Sequence, residues 1–214
     1  MNEYSDPQQF VIKRRRKRYK FALFANNPLC FELEEWRARS VDVLEVGAGT
    51  SLFSVELASR YPDKKFVAID VKADRLQMGA RLASEHGLTN ISFVRARADQ
   101  LEQVAIKHSV QQLWLTFPDP FPKKRSSGRR MTHPTFLSTY TKLLHIDGAF
   151  YLKHDDPTFF AWSLEQLVAR DWRLHELSFD LHDSDLHEDY KIKTSYEERW
   201  LEDGRKTQFV KASY

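Results

Sequence analysis

From Val41 to Phe179, short apolar runs alternate with stretches of helical periodicity, and few architectures accommodate that order. The apolar runs predict strands at 41–46, 65–70, 91–94, 113–117, 148–152, 172–179 and 209–210. Strands separated by helices at this spacing indicate a mainly parallel sheet with helices on both faces. The last two strands have little helical pattern between them, which predicts an antiparallel C-terminal edge. We therefore predict a Rossmann-like α/β fold.

The 214 residues, 42% of them hydrophobic, are enough for one domain with a substantial core. We predict a flexible basic arm over residues 1–20 and a single domain over residues 21–214. The single cysteine, Cys30, cannot form an internal disulfide and favours a reducing compartment, so we expect a cytoplasmic location. No stretch approaches the length that crosses a membrane.

Positive charge is clustered, although the net charge is only +3. Residues 13–20 form a dense basic run, and a second cluster follows the fourth strand: Lys123, Lys124, Arg125, Arg129 and Arg130. Such runs either contact nucleic-acid phosphates or remain solvated. The presence of two clusters favours nucleic acid.

A glycine turn follows the first of these strands. Gly47 and Gly49 would let the backbone turn sharply and let a ligand approach closely. The third glycine of the dinucleotide fingerprint is absent, because Leu52 occupies its place. Asp70 ends the second strand, where a carboxylate commonly binds ribose hydroxyls. Turn and spacing together favour a nucleoside-containing ligand over an ordinary strand-end aspartate.

Glu45 lies at the end of an apolar strand expected to be central, where an unpaired carboxylate is costly. A cation would compensate it. Nicotinamide dinucleotides offer none at this place, whereas S-adenosylmethionine (SAM) carries an ammonium and a sulfonium group. An internal lysine or arginine is the alternative. Asp99, after the third strand, is a candidate for the adenine amino group or for a helix N-cap.

The stretch from Phe117 to Arg125 reads Phe-Pro-Asp-Pro-Phe-Pro-Lys-Lys-Arg. Its prolines remove backbone donors and should push the preceding residues toward extended geometry. The fourth strand must therefore end here, with Asp119 fixed between two prolines. A rigid carboxylate beside a basic cluster at a strand end predicts chemistry on a polyanion, with a solvated proline-rich turn as the alternative.

The stretch resembles, nearly residue for residue, the signature of the tRNA (guanine-N7-)-methyltransferase family. Two further pieces are similar to family motifs: residues 194–197 with Gly204 resemble Thr-x-aromatic-Glu, and residues 153–156 resemble Lys-Thr-Asp-Asn. The resemblance covers most of the chain from Val41 onward. Departures are Phe121 for Trp, His154 for Thr, Asp70 for Glu and Ser51 for a further Gly.

The resemblance implies a class I SAM-dependent methyltransferase fold and transfer of a methyl group to N7 of guanine 46 in the tRNA variable loop. It implies a cofactor site of Glu45, Gly47, Gly49, Asp70, Asp99 and Asp119. It also implies a substrate site of Lys123, Arg125, Asp155, Thr194, Tyr196 and Glu197. Asp119 would stabilise the positive charge that develops on the base, and no metal is expected.

Several alternatives remain open. Thr194 and Glu197 could read the guanine edge, but Thr-x-x-Glu is also a common helix cap. The chain could act on another RNA or a small molecule, or bind SAM and RNA without turnover. We expect a monomer or a homodimer.

Overall fold

The computed structural model describes residues 4–12 and 14–214, and its centre is an eight-stranded sheet. The strands are β1 (Cys30–Glu32), β2 (Val43–Val46), β3 (Phe66–Asp70), β4 (Ile91–Arg95), β5 (Val110–Thr116), β6 (Leu144–His154), β7 (Arg173–Ser178) and β8 (Gln208–Ser213). Each strand predicted from the sequence is present. β1, in the stretch before Val41, was not predicted.

The strand order is β1-β4-β3-β2-β5-β6-β8-β7. All pairs from β1 to β6 are parallel, and β8 runs antiparallel between β6 and β7. The predicted parallel sheet with an antiparallel C-terminal edge is thus confirmed. The order reverses beside β2, which has β3 on one side and β5 on the other. Open α/β sheets bind ligands at such a reversal, beyond the carboxyl ends of the strands.

Helices cover both faces of the sheet, as predicted. They are α1 (Arg15–Ala25), α2 (Leu52–Arg60), α3 (Ala73–Glu85), α4 (Pro134–Leu143), α5 (Pro157–Val168) and α6 (Ser195–Glu202). Apolar side chains of α1, α2 and α3 pack on one face, and those of α4 and α5 pack on the other. The sheet therefore lies between two hydrophobic layers.

The N-terminal region differs from its prediction in one respect. Helix α1 crosses residue 20, the predicted end of the arm, and it buries Ala22 and Phe24 in the core. Residues 1–3 and Lys13, which belong to the predicted arm, lie outside the described residues. The flexibility of the arm and the division of the chain at residue 20 remain predictions.

The acidic stretch before β8 also contains more structure than its sequence indicated. Helix α6 and two 3-10 turns lie between β7 and β8. Leu181 and Ile192 of this stretch are buried in the same layer as α1, α2 and α3. The edge strands are therefore joined by a folded segment that covers part of the sheet.

Candidate active site

The glycine turn after β2 lies against the end of β3. Gly47 and Gly49 have φ angles of +74° and +55°, which favour glycine. The Gly49 N–H donates to Asp70 Oδ2 at 2.9 Å, and the Lys72 N–H donates to Asp70 Oδ1 at 2.8 Å. A Cβ added at Gly49 would meet no atom within 4 Å, so the turn borders open space. The structure thus brings three predicted cofactor residues together.

Ser51 continues this turn in a conformation that suits glycine better. Its φ is +57°, and its side chain is buried with only 1% of its surface exposed. Within the part of the chain that is described, its hydroxyl has no hydrogen-bond partner. Left-handed backbone costs a residue with a side chain about 1–2 kcal/mol. The departure from the glycine of the resembled family therefore carries a physical cost.

We expect Ser51→Gly to raise the free energy of unfolding by about 1 kcal/mol, because it relieves the left-handed strain and removes a buried hydroxyl. Urea denaturation measures the change. Ser51→Ala is the matched control: it removes the hydroxyl but keeps the strain, so it should gain less. A glycine variant less stable than the alanine variant would contradict the interpretation.

Glu45 is buried inside the sheet, with 1% of its surface exposed. The hydroxyls of Ser54 and Thr116 donate to its two oxygens, each at 2.5 Å. Burial raises the pKa of Glu45 from 4.5 to about 7, while these hydrogen bonds and the charge of Lys153 oppose the rise. The charge of the internal Lys153 thus acts on Glu45, but the ion pair of Lys153 is with Glu197, and the pKa of Glu45 stays raised. A contact between Glu45 and SAM remains a prediction.

Asp99 follows β4 at the same end of the sheet, but it does not cap a helix. The 3-10 helix there begins at Ala98, and Arg97 occupies the N-cap position, so the N-cap alternative for Asp99 is wrong. Arg97 binds both oxygens of Asp99 at 2.8 Å, and this hydrogen bonding lowers the pKa of the Asp99 carboxyl. The carboxylate is exposed and charged beyond the carboxyl end of β4.

The proline-rich segment leaves the sheet as predicted, because β5 ends at Thr116. The predicted extended geometry before the prolines is wrong for two residues. Phe117 and Phe121, which precede Pro118 and Pro122, have φ angles of +53° and +41°. Such backbone persists only where surrounding groups hold it. Asp119 itself is exposed.

The second basic cluster divides into exposed and buried members. Lys123, Lys124 and Arg125 are exposed. Arg129 is also exposed, and its guanidinium lies 4.5 Å from the centre of the Phe121 ring. Arg130 is only 8% exposed and binds backbone carbonyls, so counting it among cations that face a partner was wrong.

Two fully buried charges, which the sequence did not predict as a pair, join β6 to helix α6. Lys153 Nζ is 2.7 Å from Glu197 Oε2, and neither side chain is exposed. The other Glu197 oxygen accepts from His182 at 2.8 Å and Thr207 at 3.0 Å. Burial opposes ionisation of Glu197, but its hydrogen bond to His182 and its pair with Lys153 outweigh it and lower the pKa.

Thr194 and Glu197 form the helix cap that the sequence analysis gave as the alternative. The Glu197 N–H donates to Thr194 Oγ1 at 3.1 Å, and the Thr194 N–H donates to Glu197 Oε2 at 3.2 Å. Both Glu197 oxygens are occupied inside the protein. A guanine contact by these two residues remains a prediction, and in this conformation Glu197 has no surface for it.

Asp155 and Tyr196 lie nearer to solvent. Asp155 Oδ2 accepts from Arg205 at 2.9 Å, and the Arg205 guanidinium lies 3.8 Å from the Trp200 ring centre. Tyr196 is 52% exposed. This cluster joins the end of β6 to helix α6.

The predicted cofactor residues thus lie at or just beyond the carboxyl ends of four neighbouring strands, which are β4, β3, β2 and β5. The predicted substrate residues follow β5 and β6 or begin α6. The described residues contain no group of three or more histidine, cysteine, aspartate or glutamate side chains arranged for a metal ion. They also contain no helix long and apolar enough to span a membrane.

Solved structures share this fold. The 16S rRNA methyltransferase KamB matches with a TM-score of 0.59 at 17% identity, covering 83% of this chain and 88% of that chain. A 16S rRNA (adenine(1408)-N(1))-methyltransferase from Catenulisporales acidiphilia, solved with the cosubstrate SAM, matches with a TM-score of 0.55 at 12% identity, covering 97% and 90%. The chain has the class I SAM-dependent methyltransferase fold.

Sequence similarity defines the family more narrowly. A family model described as "Putative methyltransferase" matches residues 39–210. The tRNA (guanine-N(7)-)-methyltransferase of Brevibacillus brevis is 33% identical over 198 residues, which are 91% of this chain and 92% of that protein. The enzyme of the same name from Christiangramia forsetii is 35% identical over 175 residues, 79% and 76% of the two chains. The chain belongs to the tRNA (guanine-N7-)-methyltransferase family.

Proposed function

We propose that this protein transfers the methyl group of SAM to N7 of a guanine in tRNA, with guanine 46 of the variable loop as the target. One observation carries the proposal: four neighbouring parallel strands end in a glycine turn and carboxylates, and a basic loop follows the last of them. Asp70 and Asp119 lie on this edge, and Lys123 and Arg125 lie in the loop. Family membership across most of the chain supports the same reaction.

The residues fit SAM. Each Asp70 oxygen accepts one backbone N–H, so each keeps a further lone pair for a ribose hydroxyl. The space at Gly49 admits a ligand against the backbone. Glu45, Gly47, Asp99 and Asp119 complete the proposed cofactor site. SAM supplies an electrophilic methyl group when it is bound.

The chemistry asks little of a base. Guanine N7 is an acceptor with a free lone pair, so no proton must leave before it attacks a methyl carbon. The protein has to align the base and place negative charge near the imidazole ring as that ring becomes positive. Asp119, exposed at the strand end, is the proposed group for this charge. Lys123 and Arg125 would hold phosphates, with Asp155, Thr194, Tyr196 and Glu197 proposed near the base.

Incubation of the protein with tritiated SAM and unmodified tRNA tests the proposal. Nucleoside analysis should show 7-methylguanosine, and replacement of guanine 46 should abolish it. Binding of SAM and tRNA with no product would favour a binding module without turnover. Labelling of another RNA or a small molecule in preference to tRNA would favour the other alternative.

Binding of SAM should depend on the charge of Glu45. We expect SAM to bind roughly eightfold more tightly at pH 7.5 than at pH 6, because Glu45 with a pKa of about 7 must ionise to attract the ammonium group. Calorimetry at each pH measures this. Glu45→Gln should bind more weakly at pH 7.5 and show little pH dependence. If Glu45→Gln bound SAM as tightly as the unaltered protein at pH 7.5, Glu45 would not contact the cofactor.

Helix α1 is a proposed contact for the tRNA backbone. Its first turn carries Arg15, Arg16 and Lys17, which are exposed, and it contains no acidic residue. The helix dipole disfavours cations at this end, so the arrangement lowers helix stability unless an anion binds. Phosphate complements both the N-terminal backbone N–H groups and the cations.

Replacing Arg15, Arg16 and Lys17 with glutamine should flatten the log–log salt dependence of tRNA binding by roughly 2–3 units, because about 0.7–0.9 is lost per phosphate contact. Glutamine is a good helix former, so α1 should persist and SAM affinity should hold. Arg173→Gln, an exposed arginine on the opposite edge strand, is the control. An unchanged salt dependence would mean that α1 does not contact the tRNA phosphates.

We also propose that the protein works in the cytoplasm, as a monomer or a homodimer. The lone Cys30 and a tRNA substrate support that location. Sedimentation of the protein with and without tRNA would distinguish the two assembly states.

A further inference from the structure

Asp119 lies in a segment that has few backbone donors with which to hold itself in place. Pro118, Pro120 and Pro122 have no N–H, and the backbone is left-handed at Phe117 and Phe121. What such a segment does offer is its carbonyl groups. Three of these carbonyls, on both sides of Asp119, are bound by buried side chains from outside the segment.

On one side, His154 binds the Pro118 carbonyl. His154 is the last residue of β6 and is only 2% exposed. Its Nε2 lies 2.8 Å from the Pro118 oxygen, and its Nδ1 accepts the Asp156 N–H at 2.8 Å. Because Nδ1 is an acceptor, the proton sits on Nε2 and is donated to Pro118. Both ring nitrogens are therefore occupied, and His154 is not free to act as a base.

On the other side, Arg130 binds the next two carbonyls. Its Nε lies 3.1 Å from the Pro120 oxygen, and its Nη2 lies 3.2 Å from the Phe121 oxygen. Its guanidinium stacks 4.4 Å from the ring centre of Trp162. Arginine presents several donors in a rigid fork, so it can hold adjacent carbonyls in one geometry.

Helix α5 supports both His154 and Arg130. It begins after its N-cap residue Asp156, whose N–H fixes the His154 ring. Phe159 of the helix packs 4.4 Å from that ring, and Trp162 carries Arg130. The backbone on both sides of Asp119 is thus linked to one helix through His154 and Arg130.

We propose, on the basis of the function proposed above, that His154 and Arg130 are positioning residues that set the place of Asp119 by holding the carbonyls on either side of it. Asp119 would touch the reacting atoms, while these two residues act only through it.

Two substitutions of His154 separate its two hydrogen bonds. Gln at 154 can still donate to Pro118, whereas Asn at 154 can still accept from Asp156 but cannot reach Pro118. His154→Gln should keep the single-turnover rate within a few-fold, and His154→Asn should lower it roughly tenfold to a hundredfold, the range expected for a misplaced catalytic group. The rates are compared at saturating SAM, because Asp119 also belongs to the proposed cofactor site, and tRNA affinity should hold in both. Equal rates for the two variants would overturn the proposal.

A double-mutant cycle with Asp119→Asn asks whether the residues act through Asp119. In that background, His154→Asn and Arg130→Gln should each slow the reaction less than about twofold. If the effects of the two substitutions on the rate were fully additive, the positioning role would be overturned. The losses in rate would then reflect a general effect on folding. Absence of 7-methylguanosine with the unaltered protein would refute the proposed function instead.

A spectroscopic measurement tests the His154 geometry without turnover. Histidine labelled with ¹⁵N should show several rings as the Nε2–H tautomer, because Nδ1 of His133, His145 and His187 also accepts a backbone N–H. The Nε2–H signal that vanishes in His154→Asn belongs to His154. Burial lowers the pKa of His154, although the Pro118 hydrogen bond and the charges of Asp155, Asp156 and Asp119 oppose this. The ring should therefore stay neutral at pH values somewhat below 6.5, the ordinary pKa of histidine. A cationic or Nδ1–H ring at neutral pH would refute the assignment.

Discussion

Asp119→Asn should slow methyl transfer by about 10²–10³ in single turnover while tRNA affinity holds. The substitution keeps the shape of the side chain and removes its negative charge. That charge is needed in the transition state, where the guanine ring becomes positive, more than in the bound ground state. Rapid-quench measurement of labelled tRNA gives the rate, and filter binding gives the affinity.

The pH dependence and a substrate analogue provide the controls. Guanine N7 needs no deprotonation, so the rate in the unaltered enzyme at saturating SAM should be nearly flat across neutral pH. A tRNA with 7-deazaguanine at the target has carbon in place of N7, so it should bind and accept no methyl group. Full activity of Asp119→Asn, or methylation of the analogue, would refute the N7 mechanism built on Asp119.

The sheet was predictable because its strands are short apolar runs with clear ends. Glycine turns and Asp-Pro caps mark where helices begin, and the Asp156 side chain does accept the Phe159 N–H at 2.9 Å. Helix α6 was indicated only by the alternative interpretation of Thr194 and Glu197 as a helix cap, because apolar periodicity is the usual signal of a helix. The side chain that this short helix buries is the charged Glu197, so its sequence pattern is that of a solvated stretch.

The site was predictable where it depends on strand ends and not where it depends on distant partners. Glu45 and Asp70 lie at the ends of predicted strands and Asp119 follows another, so their position at the carboxyl end of the sheet could be inferred. Lys153 and Glu197 are 44 residues apart in sequence, and only the packing of α6 against the end of β6 brings them together. Lys153 directly follows an apolar run in the sequence. This position indicates a buried cation but does not identify its partner.

Removal of one partner of the buried Lys153–Glu197 pair should strongly destabilise the protein. Lys153→Met would leave the Glu197 carboxylate uncompensated in the interior, and we expect a loss of about 3–5 kcal/mol in the free energy of unfolding. The loss should also loosen α6, because Glu197 caps that helix. Urea denaturation followed by circular dichroism measures the first effect, and amide hydrogen exchange in α6 measures the second.

The chain supplies a matched control and a rescue for this experiment. Lys142 Nζ lies 2.8 Å from Glu102 Oε1 with both side chains about half exposed, so Lys142→Met breaks a similar contact in solvent and should change stability little. Adding Glu197→Gln to Lys153→Met removes the unpaired charge and should recover a large part of the loss. If Lys153→Met cost no more than Lys142→Met, or if the double variant recovered nothing, the pair would not be what holds α6 against β6.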